Sequence, residues 1–277
     1  EHTYKISLNG GVPKLLNNGD FNTMTYPSDN HKFFVNNFSR VNTTPKSNLI
    51  NSDGSVIMNL ETADLSALFE SGYKFPETFK AKADDGITDL YGVIYKPFDF
   101  DENKKYPLLE YVYPGPQTES VNKSFSVRMD RLDRMAQLGF IVITLGNRGG
   151  HPDRSKWYHN YGYGNLRDYG LADKKYVAQQ LANRHDFIDI NRVGIYGHSG
   201  GGFMSTAAIL VYPDFFKVAY SQAGNHDNSM YNSWWSETHH GIMEETDDEG
   251  NMFIGYAVED PESKTMKIGN WTRIETI

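Results

Sequence analysis

Gly197-His198-Ser199-Gly200-Gly201-Gly202-Phe203 is the segment whose residue types and spacing could do covalent chemistry. Gly197, Ser199 and Gly201 form a Gly-x-Ser-x-Gly pattern. That pattern suits a serine nucleophile on a sharp strand-to-helix turn, where side chains two positions away would collide. In a chain with 25 glycines the spacing alone is weak. The flanks strengthen it: Val193-Gly194-Ile195-Tyr196 reads as a buried strand leading in, and Phe203 to Leu210 as a helix leading out. The N–H of Gly200, free at the start of that helix, could stabilise an oxyanion. The competing reading is a phosphate-binding turn, but the Gly-x-Gly-x-x-Gly and Walker spacings are both absent. The chemistry indicated is acyl transfer, with an acid and a histidine base following in the order Ser, Asp, His.

The elements that must position this serine fall into two textures. Residues 1–60 read as short strands between turns: Tyr4–Leu8, Lys32–Val35, and Asn48–Ile50 with Val56–Met58 flanking Asp53-Gly54. Residues 61–76 read as a short helix and linker with Leu65, Leu68 and Phe69 on one face. A hairpin, Phe79–Ala83 and Leu90–Tyr95 around Asp85-Gly86, then opens an alternating pattern. Its strands are Leu108–Tyr113, Phe140–Leu145, Val193–Tyr196 and Val218–Tyr220. Its helices carry Met129, Leu132, Met135 and Ala136, then span Asp168–Asn183 and Phe203–Leu210. Such alternation predicts an α/β fold with a mostly parallel sheet and helices on both faces.

Composition narrows the function classes. A net charge of −8 without a long basic run argues against nucleic acid or an anionic membrane surface as partner. No apolar run approaches the length of a membrane span. Zero cysteines exclude disulfides, thiolate nucleophiles and cysteine zinc sites. No metal or organic cofactor is implied. Glu244 to Glu249 reads as a solvated acidic loop without calcium-loop spacing. The Asn-x-Ser/Thr triplets at Asn37, Asn42, Asn122 and Asn270 are expected by chance in so asparagine-rich a chain.

Gly197-His198-Ser199-Gly200-Gly201-Gly202-Phe203-Met204 resembles the Gly-Trp-Ser-Tyr-Gly-Gly-Phe-Met segment of the dipeptidyl peptidase IV branch of the prolyl oligopeptidase family. Lys105–Pro116 resembles that family's Lys-Tyr-Pro strand ending in Val-Tyr-x-Gly-Pro. Asn147-Arg148-Gly149 is similar to its Asn-Arg-Gly, and Tyr231–Glu237 to its Tyr-x-x-x-Tyr-x-Glu stretch. The likeness runs from the start of the chain to about Gly241. It implies an α/β-hydrolase domain over residues 61–277, linker helix included, preceded over residues 1–60 by the C-terminal remnant of a β-propeller. It implies Ser199 as nucleophile, Tyr113 and Gly200 as oxyanion hole, Tyr231 and Trp235 as substrate-binding aromatics, and Gly197 and Gly201 as the glycines of the elbow. The implied activity is release of N-terminal Xaa-Pro dipeptides from peptide substrates by a homodimer. A periplasmic or secreted location is favoured, the cytoplasm staying open.

The sequence also departs from the family pattern. Gly200 stands where the branch usually has tyrosine, and Trp235 where it usually has a second pocket tyrosine. Nothing before residue 60 matches the paired glutamates that recognise a free amino terminus. His226, His239 and His240 follow Ser199, yet none has the setting of a triad base, and residues 259–277 do not align. The chain begins at Glu1. It is therefore expected to be a partial product lacking the triad Asp and His, poorly stable alone and without appreciable turnover. An acylaminoacyl peptidase, endopeptidase or esterase on the same fold, and a non-catalytic binding fragment, stay open beside the dipeptidyl peptidase reading.

Overall fold

The computed structural model describes residues 1–116, 118–126, 131–163, 169–227, 231–259 and 266–274. In chain order its elements begin with β1 (Tyr4–Lys5), β2 (Lys14–Leu15), β3 (Asn22–Pro27), β4 (Phe33–Ser39), β5 (Lys46–Asn51), β6 (Val56–Thr62) and α1 (Ser66–Glu70). Then come β7 (Glu77–Lys82), β8 (Asp89–Tyr95), β9 (Tyr106–Tyr111), α2 (Arg131–Ala136), β10 (Ile141–Leu145), α3 (Lys156–His159) and α4 (Leu171–Arg184). The last are β11 (Ile188–His198), α5 (Gly200–Val211), β12 (Phe216–Gln222), α6 (Ser233–His240), β13 (Ile242–Thr246), β14 (Met252–Glu259) and β15 (Met266–Ile274). The chain divides into two compact units, residues 1–79, 93–101 and 121–142, and residues 80–92, 102–120 and 143–277.

In the first unit, β3 to β6 form a four-stranded antiparallel sheet in sequence order. A ladder of buried amides crosses it: Asn17 Nδ2 donates to Asn36 Oδ1 at 3.1 Å, and Asn36 Nδ2 donates to Asn48 Oδ1 at 3.1 Å. β6 is exposed along its whole length. The expected strand over Tyr4–Leu8 shortens to Tyr4–Lys5, and β3, which ends at Pro27, was not expected. Tyr73 packs edge-on against Phe75, Phe98 and Phe125, with centroids 5.7–6.3 Å apart. Burial there pushes its phenol up to about 12.

The six-stranded sheet has the order β12-β11-β9-β10-β8-β7. β11 runs parallel to both β9 and β12, pairing Ile195 with Glu110 on one side and Ala219 on the other. Apolar runs explain the strands: all five residues of β10 are buried. α4 buries Leu171, Val177, Ala178 and Leu181 at helical spacing. The order fixes where a site can form. After β9 the chain moves to β10, on the side toward β8, whereas after β11 it moves to β12 on the opposite side. The connections leaving neighbouring strands β9 and β11 thus diverge, which opens a crevice outside their carboxyl ends. This is the α/β-hydrolase sheet expected from the sequence, with the β7–β8 pair at its edge.

Two expectations are corrected in the second unit. Glu244, Glu245 and Thr246 lie in strand β13, not in a loop. The turn is confined to Asp247–Gly250, where Asp247 Oδ1 accepts from the Asn251 and Glu249 N–H groups at 2.8 and 3.1 Å, and Gly250 has φ +83°. Residues past Gly241 continue this strand into a sheet, β14 pairing with β13 and β15 with β14 in antiparallel order. Among the described residues no helix is long and apolar enough to cross a membrane.

Candidate active site

Ser199 stands between the last residue of β11 and the first of α5 with φ 57° and ψ −119°. An L-residue with a side chain rarely adopts a positive φ, so the turn stores strain at this one residue. Two hydrogen bonds hold it. The Ser199 N–H donates to the Gln222 carbonyl at 2.8 Å, and the Phe203 N–H donates to the Ser199 carbonyl at 3.0 Å. The glycines are required by space. A Cβ on Gly197 would lie 2.2 Å from the Val112 carbonyl oxygen, and one on Gly201 only 1.9 Å from it. The expected elbow is present, and α5 begins at Gly200, earlier than the helix read from the sequence.

The same close packing brings Tyr113 to the elbow. Val112 donates its N–H to the Tyr196 carbonyl at 2.9 Å, which extends the β9–β11 pairing past Tyr111. Tyr113 follows two residues beyond the strand end, with its Cα 3.4 Å from where a Gly201 Cβ would stand. Its side chain is half-buried. The departure at Gly200 has a spatial reason too. A Cβ there would meet the Pro114 carbonyl oxygen at 2.6 Å, so the loop after β9 closes onto the start of α5 in a way that a tyrosine would prevent.

A cavity opens beside Gly200. Pro114 and Pro116 bound it from the loop after β9, Phe203 and Met204 from α5, and Trp235 from α6. Tyr169 and Asn225 complete the wall. Trp235, expected as a substrate-binding aromatic, therefore lines the cavity next to the elbow. Tyr231 packs edge-on against Trp235, with centroids 5.6 Å apart. Asn232 caps α6 by accepting the Trp235 N–H at 3.3 Å. Tyr169, Met204 and Phe203 were not singled out from the sequence. Tyr169 was read as part of a helix beginning at Asp168, whereas α4 begins at Leu171.

His226 and His239, which follow Ser199, pack against aromatic rings. The His226 ring lies against Phe203 at 6.0 Å, and His239 against Trp235 at 4.8 Å. Burial first, and then the nearby His159, lower the His239 pKa, and its Nδ1 is buried without a hydrogen-bond partner. Among the described residues no group of His, Asp and Glu could hold a metal ion.

Buried charge supports the site from behind. Arg148 forks onto the fully buried Asp173, with Nη2 to Oδ1 at 2.7 Å and Nε at 3.1 Å, and its Nη1 reaches Asp85 at 3.2 Å. Its own N–H donates to Asp173 at 2.9 Å, which pins the Asn147-Arg148-Gly149 loop. Glu110 of β9 and Lys174 of α4 are buried together, and Lys174 Nζ donates to the Leu145 carbonyl. Burial pushes the Glu110 carboxyl up to about 8 and the Lys174 ammonium down to about 8, each partly offset by the other's charge.

Comparison with known proteins agrees with this geometry. Residues 125–261, which include the whole elbow, match the prolyl oligopeptidase family model. The chain is 40% identical to human dipeptidyl peptidase 8 over 152 residues, 54% of this chain and 17% of that protein. It is 33% identical to the probable dipeptidyl-aminopeptidase B of Aspergillus clavatus over 180 residues, 64% of this chain and 19% of that protein. A solved putative dipeptidyl aminopeptidase IV from Bacteroides ovatus superposes with a TM-score of 0.71 at 29% identity, over 80% of this chain and 31% of that one. The chain thus spans about a fifth of the length of the curated relatives it matches. Strand order, elbow and family match agree: the matched half of the chain is similar to the prolyl oligopeptidase family of serine peptidases.

Proposed function

We propose that Ser199 is the acylated nucleophile of a dipeptidyl peptidase that releases N-terminal Xaa-Pro dipeptides. The observation that carries this reading is the positive φ of Ser199 at the β11–α5 junction. That conformation projects the hydroxyl away from the sheet while leaving helix N–H groups free around it. In the proposed reaction Ser199 Oγ attacks the carbonyl carbon, and its proton passes to the triad histidine that the family resemblance implies. The developing oxyanion accepts hydrogen bonds from the Gly200 N–H and the Tyr113 hydroxyl. The tetrahedral intermediate then expels the amine, which takes up that proton, and water releases the dipeptide by the same route. Trp235 and Tyr231 present aromatic faces to the residue before the scissile bond, a surface suited to a flat pyrrolidine ring. The four-stranded sheet β3–β6 fits one blade of a propeller, and the whole protein is proposed to act as a homodimer.

The test is covalent. In the full-length protein, which carries the triad histidine, a fluorophosphonate is expected to label Ser199, located by peptide mass, and Ser199→Ala is expected to abolish the label. Labelling that survives Ser199→Ala, or that maps elsewhere, overturns the assignment. Comparing a dipeptidyl-proline amide with its N-blocked form and with a simple ester separates a dipeptidyl peptidase from the endopeptidase and esterase readings.

A further inference from the structure

The cavity beside Gly200 has a floor that cannot retreat. Tyr169 borders it and is itself only 8% exposed. Its ring is clamped by backbone. A Cβ on Gly149 would lie 2.5 Å from the Tyr169 ring, and one on Gly162 would lie 2.7 Å from it. Both glycines are fixed in turn. Gly149 donates its N–H to the Tyr158 carbonyl at 2.7 Å, and Gly162 closes the short 3-10 turn after α3. The residue that follows Tyr169, Gly170, rests against the Asn147 side chain at a virtual Cβ distance of 2.7 Å. The arginine fork on Asp173 holds the same loop from below.

We propose that Tyr169 is a specificity-determining residue: as an immovable floor it restricts the cavity to short or flat uncharged side chains, proline and alanine among them. The proposal rests on reading this cavity as the site for the residue before the scissile bond at Ser199. The remaining walls agree with it. Pro114 and Pro116 have fixed backbones, Trp235 is a rigid ring, and Met204 is the adaptable member. Burial also lifts the Tyr169 phenol far above neutrality, so the floor carries no charge to meet a charged side chain.

The experiment measures binding, so that it stands apart from the nucleophile's reactivity. Alanyl-pyrrolidide and alanyl-phenethylamide are titrated into the full chain, followed by the change in Trp235 fluorescence, with Trp235→Phe defining the signal. The wild type is expected to prefer the pyrrolidide by about tenfold or more, the range a shape mismatch in an apolar pocket supplies. Tyr169→Ala is expected to bring the phenethylamide to parity while changing the pyrrolidide little, and Tyr169→Phe to keep the wild-type ratio. Tyr169→Leu, which retains apolar volume against the glycines, should show an intermediate ratio and serves where the alanine variant does not fold. An unchanged ratio in Tyr169→Ala or Tyr169→Leu, equal loss of both ligands, or no wild-type preference overturns the proposal. Loss of fluorophosphonate labelling at Ser199 with the binding ratio intact would overturn the nucleophile assignment instead.

Discussion

Lys174→Met is expected to destabilise the protein by up to about 3–5 kcal/mol at alkaline pH, where Glu110 would otherwise ionise and a buried charge loses its partner. Glu110 is wholly buried, and neither carboxylate oxygen has a hydrogen-bond partner. Lys174 is the cation that offsets its charge. The loss should depend on pH, and the sign follows from linkage. The folded-state pKa of Glu110 is already raised, to about 8, and removing the ammonium raises it further. An acid whose folded pKa exceeds its unfolded value holds a proton that the unfolded chain has lost, so its stability is full below the unfolded value and falls as pH rises through the window up to the folded one. Denaturant unfolding of Lys174→Met should therefore show a deficit that changes little between pH 5 and pH 8 and widens above pH 8, where the wild-type carboxyl has released its proton and the variant's still holds it. Adding Glu110→Gln should restore part of the loss and flatten the pH dependence, because an uncharged amide replaces the isolated charge. A single variant as stable as wild type well above pH 8 would mean that the two groups do not rely on one another.

In the full-length protein, which carries the triad histidine, Tyr113→Phe is expected to slow covalent modification of Ser199 by ~10²–10³, or ~2.7–4 kcal/mol, the usual effect of removing one oxyanion donor. The loop after β9, where this fold normally finds its second backbone donor, begins Pro114-Gly115-Pro116, and proline has no N–H to give. The phenol at the start of that loop, whose Cα lies 3.4 Å from where a Gly201 Cβ would stand, is the proposed source of the missing donor. The effect should fall on the maximal labelling rate by a fluorophosphonate and leave the half-saturating concentration nearly unchanged, because the bond strengthens as charge develops. A wild-type maximal rate in Tyr113→Phe would send the search for the donor elsewhere.

The elbow was legible in the sequence because every residue it needs is local. A strand, five residues and a helix write it out between Val193 and Leu210. The sheet was legible for a similar reason, since each buried strand is a short apolar run. Its order was not, because only the packing of β10 between β8 and β9 reveals where the crevice opens. The cavity floor was hidden more deeply. Tyr169 meets Gly149 and Gly162 through a loop, at no spacing that periodicity could mark. α3 has only four residues, announced by little more than its Ser155 cap. The strand β13 was missed because glutamates in sequence argue for solvent, whereas an exposed hairpin needs only its backbone ladder. The apolar run Met252–Val258 around Gly255 carries a strand signal of its own.

The amide ladder of the N-terminal sheet has a consequence for how that sheet finds its alignment. Asn36 and Asn48 face each other directly across β4 and β5, and Asn17 completes the row from the chain before β3. A slip of β5 by a single residue would turn Asn48 to the opposite face and set Ser47 or Leu49 against Asn36. The Asn36 amide would then be buried with its Nδ2 donor unpaired, at about 1–3 kcal/mol. Leucines and valines in the same row would have forgiven such an error, since grease packs against grease in any alignment. Three asparagines do not: they act as teeth that mesh in one position only, and a misaligned sheet pays at once for having missed it.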